Sequence, residues 1–251
     1  MSLPQLDTPP EALDIYIHFH ASDAVRRVFV QEGYPAVFVG VDRGEGSNAY
    51  RRAFDDPSAF PRLLSDVTRL LAQHTGRQVR IDRVVLSSWS AGFGATTRIT
   101  QLVPERIHGL VLLDSLYAPQ LKDEEGNLRP GTVFAPALTP VLAFARQALA
   151  GQRELFLSYS DVPTLGYAST GEVARFLLGQ LRLQEDRVDP GEDPRGLITS
   201  LDRQGIHIRG FRGSDARAHC QHLRLAAEAV ALLFRTPKKE SPTLAPVSSR
   251  E

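Results

Sequence analysis

Short apolar runs alternate along the chain with longer segments in which apolar residues recur at helical spacing. The runs are rich in β-branched and aromatic residues, which predicts buried strands. They lie at residues 14–20, 36–41, 84–89, 109–114, 154–160 and 206–211. Helices are predicted at residues 22–32, 57–74, 93–102, 138–149, 170–181, 197–201 and 216–234. This alternation predicts a three-layer α/β/α sandwich with a mostly parallel central sheet, which binds ligands at the carboxyl ends of its strands.

The length of 251 residues suits one sizeable core, so we expect a single domain over residues 1–235. Residues 115–150 form a connection longer than a strand-to-helix link needs, and we expect a small lid-like insertion there. Residues 236–251 are rich in proline, serine and lysine and are predicted to be a disordered tail. Ser22 is predicted to cap the first helix, and Ser169 or Thr170 the helix over 170–181.

Composition excludes some partners. The formal net charge is +0, so nothing electrostatic favours binding to nucleic acid or to an anionic membrane, and we expect a small-molecule substrate instead. Cys220 is the only cysteine, which rules out an intramolecular disulfide. No apolar run has the length of a membrane span, and residues 1–10 lack the features of a signal peptide. These observations predict a cytoplasmic protein and leave its oligomeric state open.

The run 84–89 leads into Ser88-Trp89-Ser90-Ala91-Gly92 and then into a predicted helix. A serine at a sharp strand-to-helix turn exposes its hydroxyl, and small residues two before and two after it keep the turn free of clashes. Ser88 and Gly92 occupy those positions, so the G-x-S-x-G pattern is present with one glycine replaced by serine. We therefore interpret this stretch as a nucleophile elbow with Ser90 as the attacking residue.

Residues 13–234 resemble the α/β-hydrolase family, with specific similarity at the elbow, at Ile17-His18-Phe19-His20-Ala21 and at the late His219. The resemblance implies an acyl-enzyme on Ser90, with His219 as general base and no cofactor. It also implies cleavage of an ester bond, with an amide as the less favoured substrate. His222, three residues beyond His219, is the alternative base. The stretch 166–170 is similar to bacterial hydrolases of poorly defined substrate.

Two aspartates are candidates for the acid that orients the histidine. Asp114 directly follows the strand after the elbow, a position that some hydrolases use, and it is our preferred candidate. Asp161 follows the next strand, which is the commoner position in the family, and it is the alternative. Either aspartate could instead cap a turn without a role in catalysis.

An oxyanion hole requires two backbone N–H donors. Ala91, directly after Ser90, is expected to supply one, and Ala21 or Ser22 the other, although alanine tolerates a positive φ poorly. His20, Trp89 and Tyr167 are candidates for substrate binding. Trp89 could instead pack under the elbow, and His20 could hold a loop in place.

Two other functions remain open. The chain could keep this fold and bind a ligand without catalysis, an alternative favoured by the missing elbow glycine and by alanine in the oxyanion loop. It could also be a metal-dependent hydrolase, since His18 and His20 share a strand face and His219 and His222 could approach them. No metal-binding motif accompanies these histidines, so we assign no metal site.

Overall fold

A computed structural model describes residues 1–4, 11–189 and 191–235 of the chain. Within these residues the chain forms an eight-stranded central sheet and a separate two-stranded ribbon. The strands are β1 (Ala12–Phe19), β2 (Ala36–Val41), β3 (Arg80–Trp89), β4 (Gly109–Leu113), β5 (Ala118–Pro119), β6 (Glu154–Tyr159), β7 (Tyr167–Ala168), β8 (Asp186–Arg187), β9 (Leu197–Arg203) and β10 (Ile206–Phe211). The predicted disordered tail, residues 236–251, lies outside the described residues.

The strand order across the central sheet is β2-β1-β3-β4-β6-β10-β9-β8. All neighbouring strands from β2 to β10 in this order are parallel, whereas β9 and β8 run antiparallel at one edge. The carboxyl ends of β1, β3, β4, β6 and β10 therefore meet along one edge of the sheet, where the candidate site residues follow them.

Helices cover both faces of this sheet. They are α1 (Ser22–Gln31), α2 (Ser47–Arg52), α3 (Ala59–Thr75), α4 (Phe93–Leu102), α5 (Thr139–Leu149), α6 (Thr170–Leu181), α7 (Ala216–Gln221) and α8 (Ala226–Arg235). Helices α1 and α8 contribute buried side chains to one hydrophobic cluster, and α3 to α6 contribute to the other. The predicted three-layer, mostly parallel sandwich is confirmed.

Strand β1 shows why the sheet is buried on both faces. Ile15 and Ile17 belong to one hydrophobic cluster, and Tyr16 between them belongs to the other. Successive side chains of a strand point to opposite faces, so a strand covered by helices on both sides is apolar throughout. That is why the strands could be read from continuous apolar runs.

The helix predicted at residues 197–201 is wrong, because this segment belongs to β9 and pairs with β10. Leu197 and Leu201 are four residues apart, a spacing that places two side chains on one face of either a helix or a strand. The turn at Gln204-Gly205, with Gln204 at a φ of 55°, folds the chain back onto β10. Backbone pairing in this hairpin therefore decides the conformation.

The predicted cap at Ser22 is also wrong. Ala21 is the N-cap of α1 and has a left-handed backbone, and Ser22 is the first helical residue. The Ser22 hydroxyl donates a hydrogen bond to Asp42. At α6 the cap is Ser169, one of the two predicted candidates, which accepts a hydrogen bond from the backbone N–H of Glu172 in a capping box.

The predicted insertion over residues 115–150 has two parts. Helix α5 packs into the core through Val141 and Phe144 and is one of the sheet-covering helices. Residues 115–134 lie before it, and their strand β5 pairs with β7 in the ribbon outside the central sheet. The part of this segment that lies outside the sheet and its covering helices is therefore shorter than the predicted range.

Candidate active site

Ser90 lies where β3 turns into a short 3₁₀ turn and then into α4. Its φ of 49° is in the left-handed region, which a non-glycine residue seldom adopts. The other described non-glycine residues with positive φ are His20, Ala21, Asp114, Arg182 and Gln204. Because strained backbone concentrates at functional sites, the grouping of Ser90, His20, Ala21 and Asp114 at one sheet edge is itself evidence for a site there.

The residues around Ser90 explain how this turn is held. A Cβ added to Gly92 would lie 2.1 Å from the carbonyl oxygen of Phe19, so only glycine allows the turn to approach the end of β1. Ser88 occupies the position where the motif usually has glycine, and its side chain is buried. Its Oγ lies 2.8 Å from Ser115 Oγ and 3.2 Å from Thr96 Oγ1. Hydrogen bonding thus accommodates the serine in place of the missing glycine.

His219 and Asp114 are paired. His219 Nδ1 lies 2.6 Å from Asp114 Oδ2, although 105 residues separate them in the chain. His219 belongs to α7, which begins at the N-cap Asp215, whose side chain accepts a hydrogen bond from Ala218 N at 2.8 Å. Asp114 follows β4 directly and has a φ of 44°. The short contact assigns the proton on His219 to Nδ1, which leaves Nε2 free to accept one.

Asp114 is buried, and its charge is well compensated. Its carboxylate accepts hydrogen bonds from Ser160 N at 3.0 Å, from Ser160 Oγ at 2.8 Å and from the Thr170 hydroxyl. Burial raises the pKa of Asp114, but favourable interactions that include the hydrogen bonds from His219 and Thr170 outweigh that effect and place the pKa below its ordinary value. Asp114 is therefore ionised at neutral pH.

Asp161, the alternative acid, lies elsewhere. Its side chain is 52% exposed and faces Arg175, with 3.6 Å between Arg175 Nη1 and Asp161 Oδ1. Of the two aspartates, the structure brings only Asp114 to His219.

His222, the alternative base, is 2% exposed and has a different environment from His219. Its Nδ1 lies 2.8 Å from Ser158 Oγ, which also accepts a hydrogen bond from Asp114 N at 3.2 Å. Its Nε2 lies 4.0 Å from Asp114 Oδ2 and has no hydrogen-bond partner among the described residues. Burial lowers the pKa of His222 to about 4, so this ring is neutral at neutral pH.

Trp89 lies between two histidines. Its ring stacks on His219 with centroids 4.6 Å apart, and on His20 with centroids 5.2 Å apart. Its Nε1–H donates a hydrogen bond to the carbonyl of His219 at 3.0 Å. Trp89 thus contacts the residue that pairs with Asp114.

The end of β1 forms the opposite wall. His20 and Ala21 have φ values of 74° and 54°. His18 Nε2 lies 2.9 Å from the His20 carbonyl, and the other ring nitrogen of His18 lies 2.7 Å from Ser87 Oγ. Burial lowers the pKa of His18 to about 3, so a neutral His18 donates from Nε2 and holds the His20 carbonyl in place. His18 thus holds the loop after β1 in place, the structural role that the sequence also allowed for His20.

His20 is held from its other side. Its Nδ1 lies 2.9 Å from the hydroxyl of Tyr50, which donates to the Gly44 carbonyl at 3.1 Å. Ser22 N donates to Asp42 Oδ1 at 3.2 Å, so of the two donors considered for the second oxyanion position, the Ser22 N–H is already engaged. Ala91 lies in the first turn after Ser90, where backbone N–H groups lack a partner within the helix.

Sequence reasoning missed Tyr117. It lies in the loop after Asp114, and its hydroxyl donates a hydrogen bond to the Asp114 carbonyl at 3.2 Å, beside the side chain of Ser90. Burial raises the pKa of Tyr117. Phe93 and Tyr167 pack edge-on against it, each with centroids 5.3 Å away. Tyr167, a predicted substrate contact, is 43% exposed and packs against Tyr117. The signal available in the sequence was the aromatic side chain three residues after the candidate acid.

The four histidines of the metal hypothesis do not form one cluster. Both ring nitrogens of His18 contact protein groups, and His222 Nδ1 contacts Ser158. Among residues 1–4, 11–189 and 191–235, no three His, Cys, Asp or Glu side chains are placed to hold a metal ion together. In the same residues, no helix combines the length and apolarity required to cross a membrane.

Comparisons with known proteins show which solved structures share this fold. Neither a protein-family model nor a curated protein matches the sequence. Among solved structures, enterochelin esterase from Shigella flexneri superposes with a TM-score of 0.52 at 13% identity, over 92% of this chain and 53% of that one. The BES protein from Bacillus cereus has a TM-score of 0.52 at 10% identity, over 92% of this chain and 88% of that one.

A second structure from Shigella flexneri, the enterobactin esterase FES in the presence of 2,3-di-hydroxy-N-benzoyl-serine, has a TM-score of 0.51 at 15% identity. The superposition covers 92% of this chain and 54% of that one. The chain thus spans about half the length of the two Shigella structures. Together with the sheet topology, these similarities show that the chain has the α/β-hydrolase fold.

Proposed function

We propose that this protein is a serine hydrolase that cleaves an ester bond through an acyl-enzyme on Ser90. The observation that carries the proposal is the 2.6 Å contact between His219 and the buried Asp114, at the sheet edge where Ser90 has a left-handed backbone. A neutral imidazole held by a carboxylate is the base that a serine hydroxyl requires. Because the fold is shared with esterases, esters are the first substrates to test, ahead of amides.

In the proposed reaction, His219 Nε2 accepts the proton of Ser90 Oγ while Oγ attacks the ester carbonyl carbon. The backbone N–H groups of Ala91 and Ala21 hold the resulting oxyanion. Collapse of this intermediate breaks the bond to the alkoxy oxygen, which leaves as an alcohol with the proton from His219. Water then attacks the acyl-enzyme, with His219 again as base, and releases the carboxylic acid and free Ser90.

Trp89 is assigned to positioning the base instead of binding substrate. Its indole face is stacked on His219, and a cation over an aromatic face is stabilised by about 0.5–2 kcal/mol. His219 becomes a cation only after it has taken the serine proton, so this contact favours the transition state more than the ground state. The hydrogen bond from Nε1 to the His219 carbonyl fixes the same residue from the backbone side.

We therefore expect Trp89→Leu to lower kcat for a small ester about twofold to thirtyfold with little change in KM, since each 1.4 kcal/mol is a factor of ten. Trp89→Phe is the matched control, because phenyl keeps the stacking but lacks the N–H donor, and it should retain more activity than leucine. The measurement is a steady-state comparison on p-nitrophenyl acetate. A raised KM with unchanged kcat would instead make Trp89 a substrate contact, as the sequence predicted.

The proposal is tested by incubating the protein with a fluorophosphonate probe and mapping the adduct by mass spectrometry. An activated Ser90 should attack phosphorus, release fluoride and carry one adduct per chain. Ser90→Ala and heat-unfolded wild-type protein are the controls, and both should remain unlabelled. A folded wild-type sample that acquires no adduct at Ser90 would refute the proposal and favour a ligand-binding protein without catalysis.

A further inference from the structure

A cavity lies beside the segment that follows β10. Its volume is about 340 Å³, within the range of about 300–1,000 Å³ typical of small-molecule sites. One side is formed by residues 194–195 and 211–212, and the other by α7 and the 3₁₀ turn after it. We call it the arginine cavity, because its lining includes Arg195, Arg212, Arg217 and Arg224.

Three of these arginines have no counter-charge among the described residues. Within the described part of the chain, Arg212, Arg217 and Arg224 form no ion pair, and none of them is hydrogen-bonded through its side chain. Arg195 differs, since it contacts Asp193 at 2.7 Å and Glu228 at 3.0 Å. The uncompensated positive charge of the lining therefore comes from residues 212, 217 and 224.

The carboxylates near this cavity already have partners. Glu228 also binds Arg209 at 2.7 Å, Asp193 is held by Arg195, and Asp215 caps α7 through Ala218 N. None of them forms an ion pair with the three arginines. In a chain with a formal net charge of +0, three unpaired guanidinium groups around one concave surface form a local excess of positive charge.

The remaining lining offers further polar contact. Gln221 contributes a neutral amide, and the buried His222 closes part of the wall. A small ligand that carries several acceptor oxygens could thus contact the arginines and the Gln221 amide in the same cavity.

We propose that the arginine cavity binds a small oxyanion with at least two negative charges, either inorganic phosphate or the phosphate group of a small metabolite. The planar guanidinium fork matches the spacing of phosphate oxygens and donates two parallel hydrogen bonds to them. A bound phosphate would also relieve the repulsion among the three arginines. Since α7 carries His219, the ligand would bind against the helix of the candidate base, in a site separate from the Ser90 reaction.

The test compares thermal unfolding of the full chain in sodium phosphate, in glycerol 3-phosphate and in sodium chloride of equal ionic strength. At a several-fold excess over Kd, phosphate or the monoester should raise the unfolding midpoint by about 2–4 °C beyond the chloride control. Isothermal titration calorimetry with the same two probes should give a stoichiometry of one. The two arms distinguish a site for the free ion from one for a phosphate ester.

The variant for this test is Arg217→Gln/Arg224→Gln, and Arg106→Gln, an exposed arginine before β4, is the matched control. The double variant should lose the phosphate-specific shift while Arg106→Gln keeps it. Without phosphate the double variant should unfold at the wild-type temperature or slightly above it, because repulsion is removed. An equal phosphate shift in the double variant, or no shift beyond chloride in the wild type, would overturn the proposal. Neither readout depends on esterase activity.

Discussion

His219→Ala is expected to lower kcat for p-nitrophenyl acetate by about 10⁶-fold, the size of effect seen when the base of a serine triad is removed. His222→Asn should lower it by less than about tenfold. The difference follows from the environments of the two rings. His219 contacts Asp114 at 2.6 Å and is partly exposed at the sheet edge, whereas His222 is buried and engaged with Ser158.

Asparagine is the matched replacement at His222, because its amide can occupy the position of Nδ1 and keep the contact with Ser158 Oγ. Loss of the ring should therefore affect packing against Phe211 more than turnover. Circular dichroism and the unfolding midpoint establish that each variant is folded. If His222→Asn abolished turnover in a folded protein while His219→Ala retained it, the assignment of the base would be reversed.

The sequence predicted the features that depend on local patterns of apolar and small residues. Continuous apolar runs identified the parallel strands because both faces of the sheet are covered. The small residues that flank Ser90 led to its prediction as the nucleophile. The need for Gly92 also follows from the motif, and its physical cause is the approach of the Phe19 carbonyl.

The features that the sequence could not decide depend on contacts between distant segments. Residues 197–201 fit a helix or a strand equally well, and only pairing with β10 selects the strand. Ala21 was doubtful as an oxyanion donor because its φ had to be positive. The structure has that conformation, and the hydrogen bond from His18 to the His20 carbonyl shows how the neighbouring backbone is held. Spacing along one chain carries no information about such contacts.

The choice between the two candidate acids also depends on contacts between distant segments. Asp114 and Asp161 both follow strands that end at the same sheet edge, so the sequence permits either one. What separates them is the surroundings: Asp114 is 1% exposed and bound by His219, Ser160 and Thr170, and Asp161 faces Arg175 at the surface. This difference has a large expected consequence for catalysis.

Asp114→Asn is expected to lower kcat for p-nitrophenyl acetate by about 10⁴-fold, with a much smaller change in KM. Asparagine keeps the size of the side chain but removes the charge that stabilises the His219 imidazolium. Its amide can also donate toward Nδ1, which would force the proton of a neutral His219 onto Nε2 and leave no acceptor for the Ser90 proton. The loss should therefore fall on the chemical step.

Asp161→Asn is the matched control, because it makes the same chemical change at the end of the next strand and disrupts only a contact with Arg175 of 3.6 Å. An exposed ion pair of this kind contributes at most about 1 kcal/mol, so activity and stability should stay close to the wild type. Steady-state kinetics on both folded variants decides the assignment. A loss of several orders of magnitude at Asp161 with retained activity at Asp114 would mean that the acid follows β6 and that the 2.6 Å pair serves only to anchor α7.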